Sequence, residues 1–74
     1  MLVFSKEKYI QSIVERAHGE LYDYDRYDRP GCWQTKNDGK PVICKTVRER
    51  KRYYVECDVG LMQIDREWCE EKGD

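Results

Sequence analysis

The segment that decides the fold runs from Val42 to Val59 and reads VICKTVRERKRYYVECDV. Two runs rich in β-branched and aromatic residues flank a charged centre, which is the pattern of a β-hairpin with a solvated turn. We predict that the loop covers Glu49–Arg52, because this loop gives a consistent pairing of the two strands. The sequence therefore predicts an antiparallel sheet in the second half of the chain.

The cross-strand pairing is the argument for this loop. It sets Lys45 opposite Glu56, and opposite charges directly across two strands stabilise a sheet. The further pairs are Arg48 with Tyr53, Val47 with Tyr54, Thr46 with Val55, Cys44 with Cys57, Ile43 with Asp58 and Val42 with Val59. One face of the hairpin then carries Val42, Cys44, Thr46, Val55, Cys57 and Val59. A shift of one residue would scatter this set, which supports the predicted register.

Residues 5–18 predict an N-terminal helix. Apolar side chains recur there on one helical face, with charged and polar side chains on the other. Ser5 is placed to cap the helix, and Phe4 is placed to pack on Tyr9. Gly19 is expected to end it. Such an amphipathic helix needs a surface to lie against, and the sheet supplies one.

Turn-forming residues divide the remaining sequence. The turn signal at 37–39, Asn-Asp-Gly, predicts a further hairpin between Cys32–Thr35 and Val42–Cys44. Leu61–Ile64 predicts a short fourth strand. Asp65 is placed to cap a helical turn over Arg66–Glu71, with Trp68 and Cys69 pointing inward.

Together these elements predict an α+β fold. An N-terminal amphipathic helix packs on a three- or four-stranded antiparallel meander that is followed by a short C-terminal helix. With 74 residues, the chain is expected to form a single small domain over 1–74, near the size where one core just suffices. No apolar run is long enough for a secretory signal or a membrane span. We therefore expect a cytoplasmic protein that does not associate with membranes.

Charge is nearly balanced overall and segregated along the chain. Fourteen basic and 15 acidic residues give a net charge of −1, which argues against a general polyanion binder. Residues 45–52 nevertheless carry five positive charges against one acid, and residues 65–74 carry five acids against two positive charges. The molecule is expected to have a basic end and an acidic end.

The residue types that perform catalysis or bind metals are poorly placed here. The four cysteines are 12, 13 and 12 positions apart, without the close pair that zinc sites use. In a zinc site Cys44 and Cys57 would meet across the predicted hairpin, and Cys32 and Cys69 would approach from its flanks. Reduced buried thiols explain the same four residues more simply. His18, the single histidine, is expected near the end of the helix, where it stabilises the dipole. We expect no enzyme activity, no metal and no cofactor.

Two segments predict a binding surface. The first alternates tyrosine with aspartate, and its candidate partner-binding residues are Tyr22, Asp23, Tyr24, Asp25, Tyr27 and Asp28. Tyrosine is favoured at protein interfaces, and the aspartates can pair with arginine or lysine of a partner protein. The second is basic, and its candidate nucleic-acid-binding residues are Arg48, Arg50, Lys51, Arg52, Tyr53 and Tyr54. The two segments could also pair with each other, within one chain or across the two-fold axis of a homodimer.

Two short runs carry a resemblance to known proteins. Residues 4–10 read FSKEKYI and residues 64–71 read IDREWCEE, with Trp33 and a turn over 38–42, DGKPV, between them. In these motifs the chain resembles small uncharacterised proteins of bacteriophages and prophages that infect Firmicutes. The resemblance implies an accessory or anti-defence protein that acts in the bacterial host cell. It would inhibit a host immune protein, such as a CRISPR effector, by occluding its surface, and this is the leading functional prediction. Nucleic-acid binding by the basic hairpin is the alternative.

Overall fold

The computed structural model describes residues 1–17 and 24–73 and confirms the α+β fold. The elements are β1 (Leu2–Phe4), α1 (Lys6–Arg16), α2 (Tyr24–Tyr27), α3 (Trp33–Lys36), β2 (Ile43–Val47), β3 (Arg50–Cys57), β4 (Gly60–Ile64), a 3₁₀ helix (Arg66–Trp68) and β5 (Cys69–Glu71). In the described part of the chain, no helix has the length and apolar character needed to cross a membrane.

Helix α1 begins where the sequence predicts. The Ser5 side chain accepts a hydrogen bond from the Lys8 N–H at 3.2 Å, which satisfies one of the free N–H groups of the first turn. Ile10 and Val14 on the predicted apolar face are buried, and the ring centroids of Phe4 and Tyr9 are 6.2 Å apart. The predicted helix end at Gly19 lies outside the described residues.

Strand β1 is an element that the sequence analysis missed. It pairs antiparallel with β5, so the two ends of the chain meet in a two-stranded sheet. On its other side, Phe4 donates its N–H to the Lys40 carbonyl at 2.9 Å, and the Phe4 carbonyl accepts the Gly39 N–H at 2.8 Å. Phe4, which the sequence places before the helix and against Tyr9, is therefore also a strand residue with backbone partners on both sides.

The three-stranded antiparallel sheet β2-β3-β4 is present, but the predicted register of its first hairpin is wrong. Lys45 lies opposite Arg52, not Glu56, and Cys44 lies opposite Tyr53, not Cys57. A two-residue turn at positions 48–49 replaces the predicted four-residue loop. The predicted register includes residues 58–59 in the second strand. In the structure these two residues form the turn between β3 and β4, which is followed by Gly60 with φ +110°. The second turn thus sets the end of β3, and a single favourable charge pair is too weak to oppose it.

The hairpin predicted around residues 37–39 is also wrong. The turn exists, with Gly39 at φ +82°, but residues 33–36 form helix α3 in place of a strand. Lys36 donates its N–H to the Cys32 carbonyl, and the Asn37 side chain donates to the Trp33 carbonyl at 2.8 Å. These local bonds close a helical turn that places the Trp33 ring 4.7 Å from that of Tyr9. Packing of the indole ring decides the local structure here.

The C-terminal helix is shorter than predicted. Helical structure ends at Trp68, and Cys69–Glu71 form β5, because β1 offers a strand partner for these residues. Asp65 lies at the cap position but makes no side-chain capping bond. Trp68 is half-buried and Cys69 is 1% exposed, which confirms their inward placement.

One core joins the two sheets. Its fully buried cluster takes one residue from each of β1, β3, β4 and β5: Phe4, Val55, Ile64 and Cys69. Tyr9, Trp33 and Trp68 pack against it, with the Tyr9 ring 4.7 Å from each indole. These rings link α1 to the sheet and cover the core-facing part of its inner face. Nearer the hairpin tip, Cys44, Thr46 and Lys51 on the same side are exposed.

Candidate binding surfaces

The three-stranded sheet has two chemically different faces. Side chains alternate between faces along each strand, and Val55 and Ile64 define the inner face because they are buried in the core. The opposite side we call the outer face. It carries Ile43, Lys45 and Val47 from β2, Arg50, Arg52, Tyr54 and Glu56 from β3, and Leu61 and Gln63 from β4.

The outer face is open to solvent. Val47 and Leu61 are 44% and 48% exposed, so this face presents apolar as well as charged side chains to solvent. Its cations Lys45, Arg50 and Arg52 are exposed, and none of them forms an ion pair with another residue of the described part. Three cations against one carboxylate, Glu56, give this face a positive charge. Lys45 and Arg52 even lie directly opposite each other, an arrangement that costs stability unless an anion neutralises it.

The tip of the hairpin has a strained backbone. Arg48 and Glu49 have φ values of +51° and +65°, in the left-handed region that glycine and asparagine prefer. A charged pair at such positions costs stability compared with Asn-Gly. The tip thus presents charge to solvent where turn geometry favours other residues.

The structure divides the basic candidate residues between the two faces. Arg50, Arg52 and Tyr54 share the outer face, whereas Lys51 and Tyr53 lie on the inner side. Arg48 occupies the turn. The apolar members of the outer face, Ile43, Val47 and Leu61, were not among the candidates. Period-two alternation could have identified them, because the predicted and observed registers differ by four residues and an even shift keeps every side chain on its face.

The tyrosine–aspartate segment is only partly available for a partner. Tyr22 and Asp23 lie outside the described residues. Asp28 accepts a hydrogen bond from Lys6 Nζ at 2.7 Å, so its charge is neutralised within the chain. Asp25 is exposed and forms no ion pair within the part of the chain that the structure describes. Of the described carboxylates in this segment, Asp25 is therefore the better placed for an external cation.

The described tyrosines of this segment are half-buried. Gln34 donates from its side chain to the Tyr27 carbonyl at 2.8 Å, which anchors the end of α2. Removal from water raises the pKa of the Tyr24 phenol above its ordinary value, and nearby Lys6 opposes this rise. Both rings contribute to the fold as well as to any interface.

The cysteines and the histidine complete the set of sequence candidates. Cys69 is buried, Cys32 and Cys57 are half-buried, and Cys44 is exposed. Burial raises the pKa of the Cys69 thiol, so this residue is held as the neutral thiol. Over residues 1–17 and 24–73, no three potential ligands cluster in a way that could hold a metal ion. His18 falls outside these ranges.

Comparison of the chain with protein-family models, with curated proteins and with solved structures gave no match.

Proposed function

We propose that this protein is a non-enzymatic binding module that holds single-stranded nucleic acid on the outer face of its hairpin sheet. The observation that carries this proposal is the grouping of Lys45, Arg50, Arg52 and Tyr54 on one open, positively charged face. Three exposed cations beside an aromatic ring are the chemistry that binds a phosphate backbone and stacks a base. The like-charged pair of Lys45 and Arg52 is relieved by a phosphate between them.

The chemistry of the surface favours a single strand over a duplex. In a duplex the base faces are stacked on one another, so only phosphates and groove edges could meet the outer face. Unstacked bases can lie on exposed apolar and aromatic side chains, as they do on other sheet platforms. Ile43 faces Tyr54 across the β2–β3 pair, and Leu61 and Val47 extend the apolar area around the cations. This mixture fits a strand that offers both phosphates and base faces.

The test is fluorescence anisotropy with a labelled single-stranded oligonucleotide of about 15 nucleotides, near the usual upper site size for small sheet domains. R50Q/R52Q removes two outer-face cations and is expected to weaken binding at least about tenfold at low salt. The matched control is R26Q/R29Q, which makes the same charge change at two exposed cations outside the sheet. The slope of log affinity against log salt should fall by about 1.4 in R50Q/R52Q and stay unchanged in the control.

Two results would contradict the proposal. The first is absence of binding at low salt. The second is equal competition by polyglutamate, which would assign the outer face to an acidic protein partner, because a polypeptide carboxylate offers charge without bases to stack.

A second candidate function is the inhibitor of a host immune protein, with the tyrosine–aspartate segment as its contact surface. The observation in its favour is Asp25, which α2 holds in solvent between Tyr24 and Tyr27, each of which keeps part of its surface exposed. The test is a pull-down of the tagged protein from a Firmicutes lysate treated with nuclease. This function is favoured if a stoichiometric partner protein binds R50Q/R52Q but does not bind D25K. A partner retained by D25K would contradict this use of the segment.

A further inference from the structure

A second basic site lies where β3 extends beyond the end of β4. β3 begins at Arg50 and pairs with β2 from that residue onward, but β4 ends at Ile64, opposite Tyr53. Within residues 1–17 and 24–73, positions 50–52 thus have a strand on one side only. The chain turns away at Asp65 into the 3₁₀ helix. A cleft of about 500 Å³ opens there, which is within the range of small-molecule sites.

The charges around this cleft favour an anion. Lys51, Arg52 and Arg66 line it, against the single carboxylate of Asp65. That carboxylate is itself close to Arg16, with 3.9 Å between Asp65 Oδ2 and Arg16 Nη2. The lining therefore keeps a net positive charge, and all three of its cations are exposed.

The same cleft is bounded by two aromatic rings. Tyr53 and Trp68 both line it and both are half-buried, so each keeps part of its surface exposed. The Trp68 ring packs edge-to-face on Tyr9, with 4.7 Å between the ring centroids and 84° between the ring planes. Its indole Nε1–H is buried and has no hydrogen-bond partner among the described residues. Rigid aromatic surface beside cations fits a ligand that joins a planar ring to a phosphate.

We propose that the cleft binds one nucleotide, with its phosphate at Lys51 and Arg66 and its base against Tyr53 and Trp68. Arg52 belongs to the outer face and also lines the cleft. A strand on the outer face can therefore pass Arg52 and place a nucleotide in the cleft. The inference rests on the proposed function for the identity of this ligand as part of a strand.

The test is titration of the ¹⁵N-labelled protein with uridine 5′-monophosphate, followed by the two indole signals. Trp68 lines the cleft and Trp33 does not, so the Trp68 signal should shift saturably while Trp33 moves less. We expect K51Q/R66Q to weaken this binding at least about fivefold, because both phosphate contacts are lost. K45Q/R50Q makes the same charge change on the outer face alone and should leave it unchanged.

Two further ligands separate the parts of the proposed site. Inorganic phosphate alone should bind more weakly than the nucleotide, because it lacks a base to stack on the rings. Equal shifts with phosphate, or no Trp68 shift with the nucleotide, would overturn the inference.

If K45Q/R50Q weakens oligonucleotide binding and K51Q/R66Q does not, the proposed function stands and the inference about the cleft is overturned. If the protein binds the nucleotide but no oligonucleotide, the inference of a nucleotide site in the cleft is supported and the proposed function is contradicted.

Discussion

Lys6 fastens the start of α1 to two other parts of the chain. Its backbone N–H donates to Asp38 Oδ1 at 2.8 Å, and its Nζ donates to Asp28 Oδ1 at 2.7 Å. The hydrogen bond to Asp28 raises the pKa of the Lys6 ammonium, and partial burial opposes this rise. Asp28 thus acts in the fold, which limits its use at an interface.

The first prediction concerns this ion pair. D28N should lower the free energy of unfolding by about 0.5 kcal/mol at pH 7, because Asp28 is exposed and solvent screens the pair. A group whose pKa is raised by folding stabilises below its unfolded pKa and loses this effect as pH rises through the folded pKa. The deficit of D28N should therefore persist at neutral pH and shrink above pH ~10.4. Urea unfolding measures it, with D25N at an exposed aspartate as the control. A deficit that grew with pH would contradict the assignment.

The second prediction concerns the thiols. Cys44 is exposed, whereas Cys69 is 1% exposed and its pKa is raised by burial. Because the thiolate is the reactive form, an aromatic disulfide reagent should modify Cys44 first and Cys69 only on unfolding. Mass spectrometry of the labelled peptides checks this order. Equal rates at the two residues would show that the β1–β5 sheet opens readily.

At the scale of elements, the β2–β3 turn combines tight geometry with unsuitable residues. Both central residues have positive φ values, as a type I′ turn requires, and Asn-Gly is the preferred sequence for this turn. R48N/E49G should therefore raise the free energy of unfolding by about 1–2 kcal/mol. Thermal and urea unfolding test this gain in stability, and R48N alone is the comparison that isolates the glycine. A loss of stability would show that the charged tip is not strained.

The elements also show how far the sequence determined the fold and the site. Local signals identified the Ser5 cap, strand β4 and the hairpin, because each depends on residues close in sequence. β1 could not be identified in this way, since its three residues form a strand only when β5, from the far end of the chain, pairs with them. The register failed for a related reason, as the turn after Cys57 sets the length of β3. Alternation along the strands is sufficient to assign side chains to the outer face. It cannot show whether another element covers that face, because this depends on the packing of the whole chain.

At the scale of the whole molecule, a single core makes the two sheets depend on each other. Phe4 and Cys69 come from the two-stranded sheet, and Val55 and Ile64 from the three-stranded sheet, yet the four form one buried cluster. In a domain of 74 residues the stability margin is small. Loss of packing in either sheet is therefore expected to destabilise both, and with them the arrangement of side chains on the outer face.

The last prediction tests this dependence with one substitution at two sites. V55A removes two methyl groups from a residue that is 0% exposed, whereas V59A makes the same change at a residue that is 95% exposed. V55A should lower the free energy of unfolding by about 2–3 kcal/mol, from lost burial and the cavity left behind. V59A should change it by less than about 0.5 kcal/mol. In amide hydrogen exchange, V55A should reduce protection in β1 and β5 as much as in β3, because the shared core unfolds as one unit. Full protection in β1 and β5 of V55A would show instead that the two sheets unfold independently.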